Sequence, residues 1–488
     1  TNTNQLIYMT KKEQNNTQSD TMNQPTILWH DYETWGADTR RDRPAQFAAV
    51  RTDLDLNIIG EPTELYCQLA NDYLPAPQAC FVTGLTPQKV NRLGMPETEF
   101  ISKINTLFSQ PNTVGAGYNS IRFDDEITRQ SLYRNFQDPY AREWQNGCSR
   151  WDIIDLVRTC YALRPEGINW PENEDGSPSF RLERLTEANG ISHEGAHDAV
   201  SDVIATIEMA KLIKVKQPKL YDFVFNLRKK AEVAKYFDLV NFTPLVHISS
   251  KVPAIQGCAT YIAPLAYHPS NKNAMICVNL NMDLTPLLEL SVAQIIERMY
   301  TKRSELGDLA PIALKQIHVN KCPVLAPAKT LTAERADELG IDRALCRRNL
   351  ELLKHNTQLR EKVTGVFADS GAQRTETNPD LMLYSGGFFS SSDKATMERI
   401  VCSQPDQLDS INLEFNDPRL DEMYFRYRAR NYPLTLNFSE QQRWNDYRKD
   451  NLDGQNYGLT LESLAIENQS DQRKLTILKA LFDYANTL

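Results

Sequence analysis

Apolar and polar positions in the first part of the chain repeat with two different periods. Runs at 26–32, 46–52 and 64–69 are strand-like and bounded by turn residues, and the small-residue run Thr113-Val114-Gly115-Ala116 marks a further strand near 113–118. Helical spacing follows: Ile127, Leu132, Tyr133 and Phe136 recur on one face, and Val203, Ile204, Ile207, Ala210 and Ile213 form the inner stripe of a later amphipathic helix. Consecutive strands followed by alternating units predict a mixed sheet flanked by helices over 25–214. After a linking helix near 220–235, the region 215–368 carries short apolar runs such as Leu245-Val246-His247-Ile248, Ala259-Thr260-Tyr261-Ile262-Ala263 and Ala274-Met275-Ile276-Cys277-Val278. Turn residues separate them, which predicts a small β-barrel or sheet interrupted by helices near 292–300 and 332–355. From 369 to 488 helical patterns dominate, at 394–402, 418–430 and 471–487.

A chain of 488 residues exceeds one compact core and implies two or three domains, and 41% apolar content is enough to bury them. No apolar stretch approaches the about 20 residues that span a bilayer, and the N-terminus is polar, so a cytoplasmic location is expected. Residues 1–24 are rich in Asn, Thr and Gln; they are predicted to be a disordered tail, with Met22 a candidate start. Nine cysteines without C-x-x-C spacing predict reduced thiols. A net charge of -9 argues against broad affinity for nucleic acid and leaves room only for a local basic channel.

Chemistry enters at the end of the first strand. Asp31 and Glu33 stand at i and i+2, so their carboxylates leave the same face of the strand. Two acids held together repel one another and resist desolvation unless a hard cation such as Mg2+ or Mn2+ neutralises them. A solvated strand end is the plain alternative for the pair taken alone. Downstream, Asn119 and Asp124 lie at the entry to the helix that carries Ile127, where favourable interaction with the helix dipole is the plain alternative for Asp124, Asp125 and Glu126. Asp202 rides near the apolar face of the later helix, where an unpaired carboxylate is expensive to bury. His197 precedes that helix and suits a general base.

D-x-E on a first strand, N-x4-D at a helix start and H-x4-D on a later helix therefore occur in order. On these motifs the chain resembles the DEDDh 3'-to-5' exonuclease superfamily. Arg43-Pro44-Ala45-Gln46-Phe47, Thr83-Gly84-Leu85-Thr86-Pro87, Ser149-Arg150-Trp151-Asp152, Tyr161-Ala162-Leu163-Arg164-Pro165 and Ser179-Phe180-Arg181-Leu182 extend the resemblance to the bacterial exonuclease I family, from about Gln24 to the C-terminus. It implies an α/β RNase H-like exonuclease domain over 25–214, an SH3-like β-rich domain over 215–368, and a C-terminal α-helical domain over 369–488 that folds back to wall off the substrate path. It also implies digestion of single-stranded DNA from the 3' end to 5'-mononucleotides, in repair and recombination, by a two-metal mechanism with Mg2+ ions about 4 Å apart, for which Mn2+ can substitute. Asp31 then bridges the ions, Glu33 and Asp202 complete one shell, Asp124 holds the second, and His197 deprotonates water. The expected partners are single-stranded DNA and the acidic tail of single-strand-binding protein, with the enzyme a monomer.

Substrate contacts are expected at Glu33, Thr34, Thr83, Asn119 and Leu85, the last matching a position that wedges against terminal bases in related exonucleases. Tyr140 and Trp144 are spaced for base stacking if their segment is helical, with hydrophobic core as the alternative. Arg129, Arg158 and Arg181 flank the motifs and either reach phosphates or neutralise nearby acids; Arg181 leads because it opens the helix before His197. His193-Glu194-Gly195-Ala196-His197 also spells the H-E-x-x-H of zinc peptidases, but Asn189-Gly190 reads as a helix stop and Gly195 weakens a new helix. The other rivals are an RNA-directed or proofreading nuclease, and a non-catalytic single-strand-binding scaffold, disfavoured because all five catalytic positions are filled.

Overall fold

A computed structural model describes residues 24–195, 197–368, 375–411 and 413–488. Of the N-terminal tail expected to be disordered, residues 1–24, positions 1–23 lie outside the described residues. The chain divides into two compact units. One joins everything up to Ser149 with Glu194–Ile204 and Glu376–Leu488; the other joins Arg150–His193 with Ala205–Thr375.

In the first unit β1 (Thr26–Thr34) pairs antiparallel with β2 (Pro44–Thr52), which pairs antiparallel with β3 (Ile58–Tyr66). On its other edge β1 runs parallel to β4 (Thr113–Gly117), but only from Thr26 to Trp29. β4 ends there, so the second half of β1 has no β4 partner. Even-numbered residues of β1 enter the core: Leu28 and Tyr32 pack with Phe47, Phe100, Ile104, Phe108, Ile127 and Leu132. These come largely from helices α1 (Glu97–Phe108) and α2 (Asp124–Arg134), whose apolar stripes cover this face of the sheet. Alternation sends Trp29, Asp31 and Glu33 to the opposite face. Helix α3 (Ala199–Lys216) brings its first turn to that face, with Ala199 and Val203 buried.

The C-terminal helices fold back on the first 149 residues, within the same unit. Leu461, Ile477, Leu478, Leu481 and Tyr484 share a core with Trp35, Ala45, Cys80 and Leu85, while Leu420, Met423 and Tyr427 share another with Tyr133 and Phe136. The second unit holds the short strand β5 (Ser149–Asp152) from Arg150 on, the helix Ile153–Leu163 and five more strands. These are β6 (Leu245–Ile248), β7 (Ala259–Tyr267), β8 (Ala274–Asn279), β9 (Leu314–His318) and β10 (Val324–Pro327), antiparallel in the order β10-β6-β7-β8-β9. Arg335 ties this sheet's flank to the helix Ile153–Leu163, donating to the carbonyls of Tyr161 (2.7 Å) and Ala162 (3.2 Å).

The fold is thus α/β, then β-rich, then helical along the sequence. All nine cysteines are free, eight of them buried. Among the described residues no helix is long and apolar enough to cross a membrane.

Candidate active site

The free half of β1 is where the acids sit. Because β4 stops short, the Tyr32 N–H on that edge has no strand partner, and Asp124 Oδ1 accepts it at 3.0 Å. Gly117 at the end of β4 makes this close approach possible: a Cβ there would stand 2.9 Å from the His30 carbonyl oxygen. The turn that follows passes through Asn119 in the left-handed region (φ 61°) and delivers Asp124 as the first residue of α2. Two further bonds hold the helix in place. Tyr32 Oη and Thr128 Oγ1 are 2.8 Å apart, and Thr128 donates to the Asp124 carbonyl at 3.0 Å.

On the opposite face Asp31, Glu33 and Asp202 come together, with one carboxylate oxygen of each within 4.8 Å of the others. Among the described residues this is the one cluster with the composition and spacing of a metal site. Its electrostatics are those of unneutralised acids. Burial, then the charges of Asp124, Glu33 and Asp202, hold Asp31 well above the usual carboxylate range, and burial with Asp202 and Asp124 pushes Glu33 up to about 9. Asp31 and Glu33, both raised by Asp124 and Asp202, offer with them the oxygen donors that a hard divalent cation requires.

Helix α3 is started by a residue the sequence motifs did not single out. Asp198 Oδ2 accepts from the Ser201 N–H at 3.1 Å, and its charge also raises Asp31 and Glu33. The signal was present, since an Asp directly before a helical run is a favoured N-cap, its carboxylate accepting from the N–H of the third helical residue. His197 stands immediately before this cap, exposed and in the left-handed region (φ 69°), five residues ahead of Asp202. That conformation disposes of the zinc-peptidase spelling. His193–Gly195 and His197–Asp198 are loop and turn rather than helix, α3 begins only at Ala199, and His193 Nδ1 pairs with Thr186 Oγ1 at 3.2 Å.

The expected substrate contacts divide. Thr34 is buried beside Glu33 and donates to the Gly36 carbonyl at 2.7 Å. Thr83 accepts from the Leu85 N–H at 3.1 Å, whereas Leu85 itself is 5% exposed among C-terminal helix residues, a packing position rather than a free wedge. Tyr140 and Trp144 are not one α-helical turn apart. Asp138 Oδ1 accepts from the N–H groups of Tyr140 and Ala141, and only a 3-10 turn, Ala141–Glu143, separates the rings. Trp144 is nonetheless 66% exposed, and Tyr140 meets the edge of Phe388 at 6.4 Å. Phe388, 86% exposed, was not anticipated because its neighbours lie some 250 residues away in the chain. Of the arginines, Arg129 is buried against Glu143 (2.7 and 2.8 Å), Glu126 and Tyr384, and Arg158 pairs with Asp155 at 3.0 Å. Both neutralise acids. Arg181, 74% exposed and 3.4 Å from Glu183, keeps a solvent-facing guanidinium and directly precedes the helix Leu182–Ala188 without a side-chain capping bond.

A sheet whose central strand carries two acids, met by two helices that carry two more, defines a carboxylate-centred exonuclease of the RNase H-like class. Comparison with known proteins gives the family. The model "Exonuclease" matches residues 28–210, "Exonuclease I SH3-like domain" 228–369 and "Exonuclease I C-terminal domain" 377–488. Exodeoxyribonuclease I of Escherichia coli is 49% identical over 96% of this chain and 99% of its own, and that of Haemophilus influenzae is 48% identical over 93% and 97%. Among solved structures, E. coli exonuclease I in complex with a dA16 oligonucleotide superimposes with a TM-score of 0.93 at 49% identity, covering 95% of this chain and 100% of that one. A zinc-ion-bound exonuclease I–single-stranded DNA complex (TM-score 0.92, 49% identity, 95% and 99% covered) and an exonuclease I structure with single-strand-binding protein and an inhibitor (0.90, 48%, 95% and 100%) are similar. The chain belongs to the exonuclease I family of exodeoxyribonucleases.

Proposed function

We propose that this chain digests single-stranded DNA from the 3' end, releasing 5'-mononucleotides, with two Mg2+ ions held by Asp31, Glu33, Asp124 and Asp202. The observation that carries this reading is the meeting of Asp31, Glu33 and Asp202, from stretches some 170 residues apart, within 4.8 Å of one another. When bound, such cations polarise the scissile phosphodiester and make water acidic enough to attack at neutral pH. The residues do the rest. Asp31, Glu33 and Asp202 would hold the cations from the open face of β1, with Asp31 the ligand shared with Asp124, whose charge bears on it from the helix start. His197, exposed on its turn, takes the proton from the attacking water, while the phosphorus–O3' bond breaks and the shortened strand keeps its 3' hydroxyl. Thr34, Thr83 and Asn119 border the terminal nucleotide. Tyr140, Trp144 and Phe388 supply aromatic faces for unstacked bases, and Arg181 a cation for phosphate.

Exonuclease I structures with oligonucleotides and with single-strand-binding protein support those two partners for this chain. We place the enzyme in the cytoplasm, acting as a monomer in repair and recombination, with domain limits at 25–214, 215–368 and 369–488. The test incubates the protein with 5'-labelled single-stranded DNA, duplex and RNA, with and without Mg2+. Single-stranded DNA alone should shorten, and only with the cation; Asp31→Ala and Asp202→Ala should abolish shortening while still binding the strand. Either variant digesting at the parent rate overturns the ligand assignment, and preferential loss of RNA points to the RNA-directed alternative.

A further inference from the structure

The acid beside Asp124 plays no part in holding a cation, yet it is completely buried. Asp125 Oδ1 accepts from Arg142 Nη2 at 2.9 Å and lies 3.7 Å from His30 Nε2, with the three side chains 0–1% exposed. The Phe108 ring packs against both partners, 4.3 Å from the Arg142 guanidinium and 4.8 Å, edge-on, from the His30 ring. Arg142 Nε and Nη1 and both His30 nitrogens are buried without a hydrogen-bond partner among the described residues. A buried ion pair with unmet donors is a poor source of stability, because desolvating the two charges offsets most of their attraction and an apolar replacement is often as stable. What such a pair does supply is a fixed geometry.

Its location says which geometry. Asp125 is the second residue of α2, directly after Asp124, and its own N–H donates to the Ser120 carbonyl at 2.8 Å. His30 directly precedes Asp31 on β1. The pair and its aromatic wall therefore clamp the helix start and the strand on the core side of the sheet, while the Asp124 carboxylate lies on the open edge of β1 and that of Asp31 on the other face. We propose that the buried Asp125–Arg142 pair is a positioning device: it locks the first turn of α2 against β1 so that Asp124 stays on the Tyr32 amide, and thereby sets the affinity of the centre for its cation. This rests on the metal reading given above.

The experiment titrates Mn2+ into the cation-free protein, following free ion by electron paramagnetic resonance, and records thermal midpoints alongside. Asp125→Asn combined with Arg142→Met removes both buried charges at once. This double variant should melt near the parent temperature, bind oligonucleotide in EDTA as the parent does, and bind Mn2+ about ten- to a hundredfold more weakly. Arg142→Lys, which keeps a charged donor for Asp125, should restore most of the affinity. A folded double variant with the parent's Mn2+ affinity overturns the proposal. Should the double variant fail to fold, Arg142→Gln, folded but with a lower thermal midpoint because Asp125 is left unpaired, carries the same expectation for Mn2+ affinity and the same failure. Parent protein that takes up no Mn2+ overturns both this and the metal reading, whereas uptake lost in Asp31→Ala but unchanged in the double variant overturns the positioning alone.

Discussion

Asp31 and Glu33 carry like charges in a corner closed by Asp124 and Asp202, and this makes the stability of the cation-free protein depend on pH. The Glu33 carboxyl titrates near 4.5 when free and near 9 in the fold. A raised folded value means the folded state holds its proton more tightly than the unfolded chain. The resulting contribution is complete below about pH 4.5, declines above it and is lost as pH rises through about 9. In EDTA the thermal midpoint should therefore fall between pH 5 and pH 9. Saturating Mg2+ should flatten or reverse the slope, because the cation favours the charged form. Glu33→Gln should reduce the slope in EDTA; an unchanged slope in that variant would mean the acid pair is not its source. At His197 the expectation is kinetic. His197→Ala should lower the digestion rate about a hundredfold or more with little change in strand affinity, the usual scale for a general base, and a loss of only a few-fold would reduce it to a positioning role.

At the scale of elements, the strand and helix starts that build the centre were legible in the sequence because each has a buried face with a clear period. β1 and α2 both alternate or repeat around Leu28, Tyr32, Ile127 and Leu132, residues that share one core. β3 was displaced, expected at 64–69 and found at Ile58–Tyr66. It is an edge strand exposed over its first five residues, including Ile58 and Ile59, and only Leu65 and Tyr66 at its end pack against a core, so nothing imposes alternation on its start. The stretch around Tyr140 failed as a helix for a local reason: Asp138 captures two successive backbone N–H groups and Pro139 follows it, the chemistry of a turn. Side-chain pairings were not legible, since Arg129 meets Tyr384 and Leu85 meets Leu481 only after the C-terminal helices fold back. One element-scale expectation concerns Gly117, which reads in sequence as a mere small residue. Gly117→Ala would drive a methyl group into the backbone oxygen of His30, a neighbour that has no side-chain freedom to yield. The variant should lose about 1–3 kcal/mol by urea denaturation and weaken digestion as the Asp124 turn is displaced. Parent stability would show that β4 can shift without disturbing the centre.

For the first unit as a whole, the question is whether the C-terminal helices are an accessory or part of the catalytic body. The contacts favour the second. Besides two shared apolar cores, the helix Arg419–Asn431 sends Thr98 a pair of polar contacts, Asn431 Oδ1 accepting from its N–H at 3.0 Å and Tyr427 Oη lying 3.0 Å from its hydroxyl. At the end of that helix Arg430 bonds Asp72 at 2.9 Å and Asp380 at 2.7 Å, with all three side chains at most 7% exposed. Asp72 belongs to the segment after β3, so a single guanidinium neutralises one acid from each end of the sequence. Arg430→Met keeps the length and removes the charge, leaving Asp72 buried without its counter-ion. Truncating one partner of a buried pair in this way costs about 3–5 kcal/mol. The matching surface change, Arg443→Met, breaks the bond to Glu422 from a side chain that is 56% exposed, and should cost at most about 1 kcal/mol. Denaturant midpoints of the two variants, followed by a probe near the catalytic strand such as the buried Trp29 and Trp35, decide the matter. If the helices are integral, Arg430→Met lowers the midpoint of the tryptophan transition and digestion together, in one cooperative step. A tryptophan transition that stays at the parent position while the helices melt separately would make the C-terminal segment an independently folded attachment.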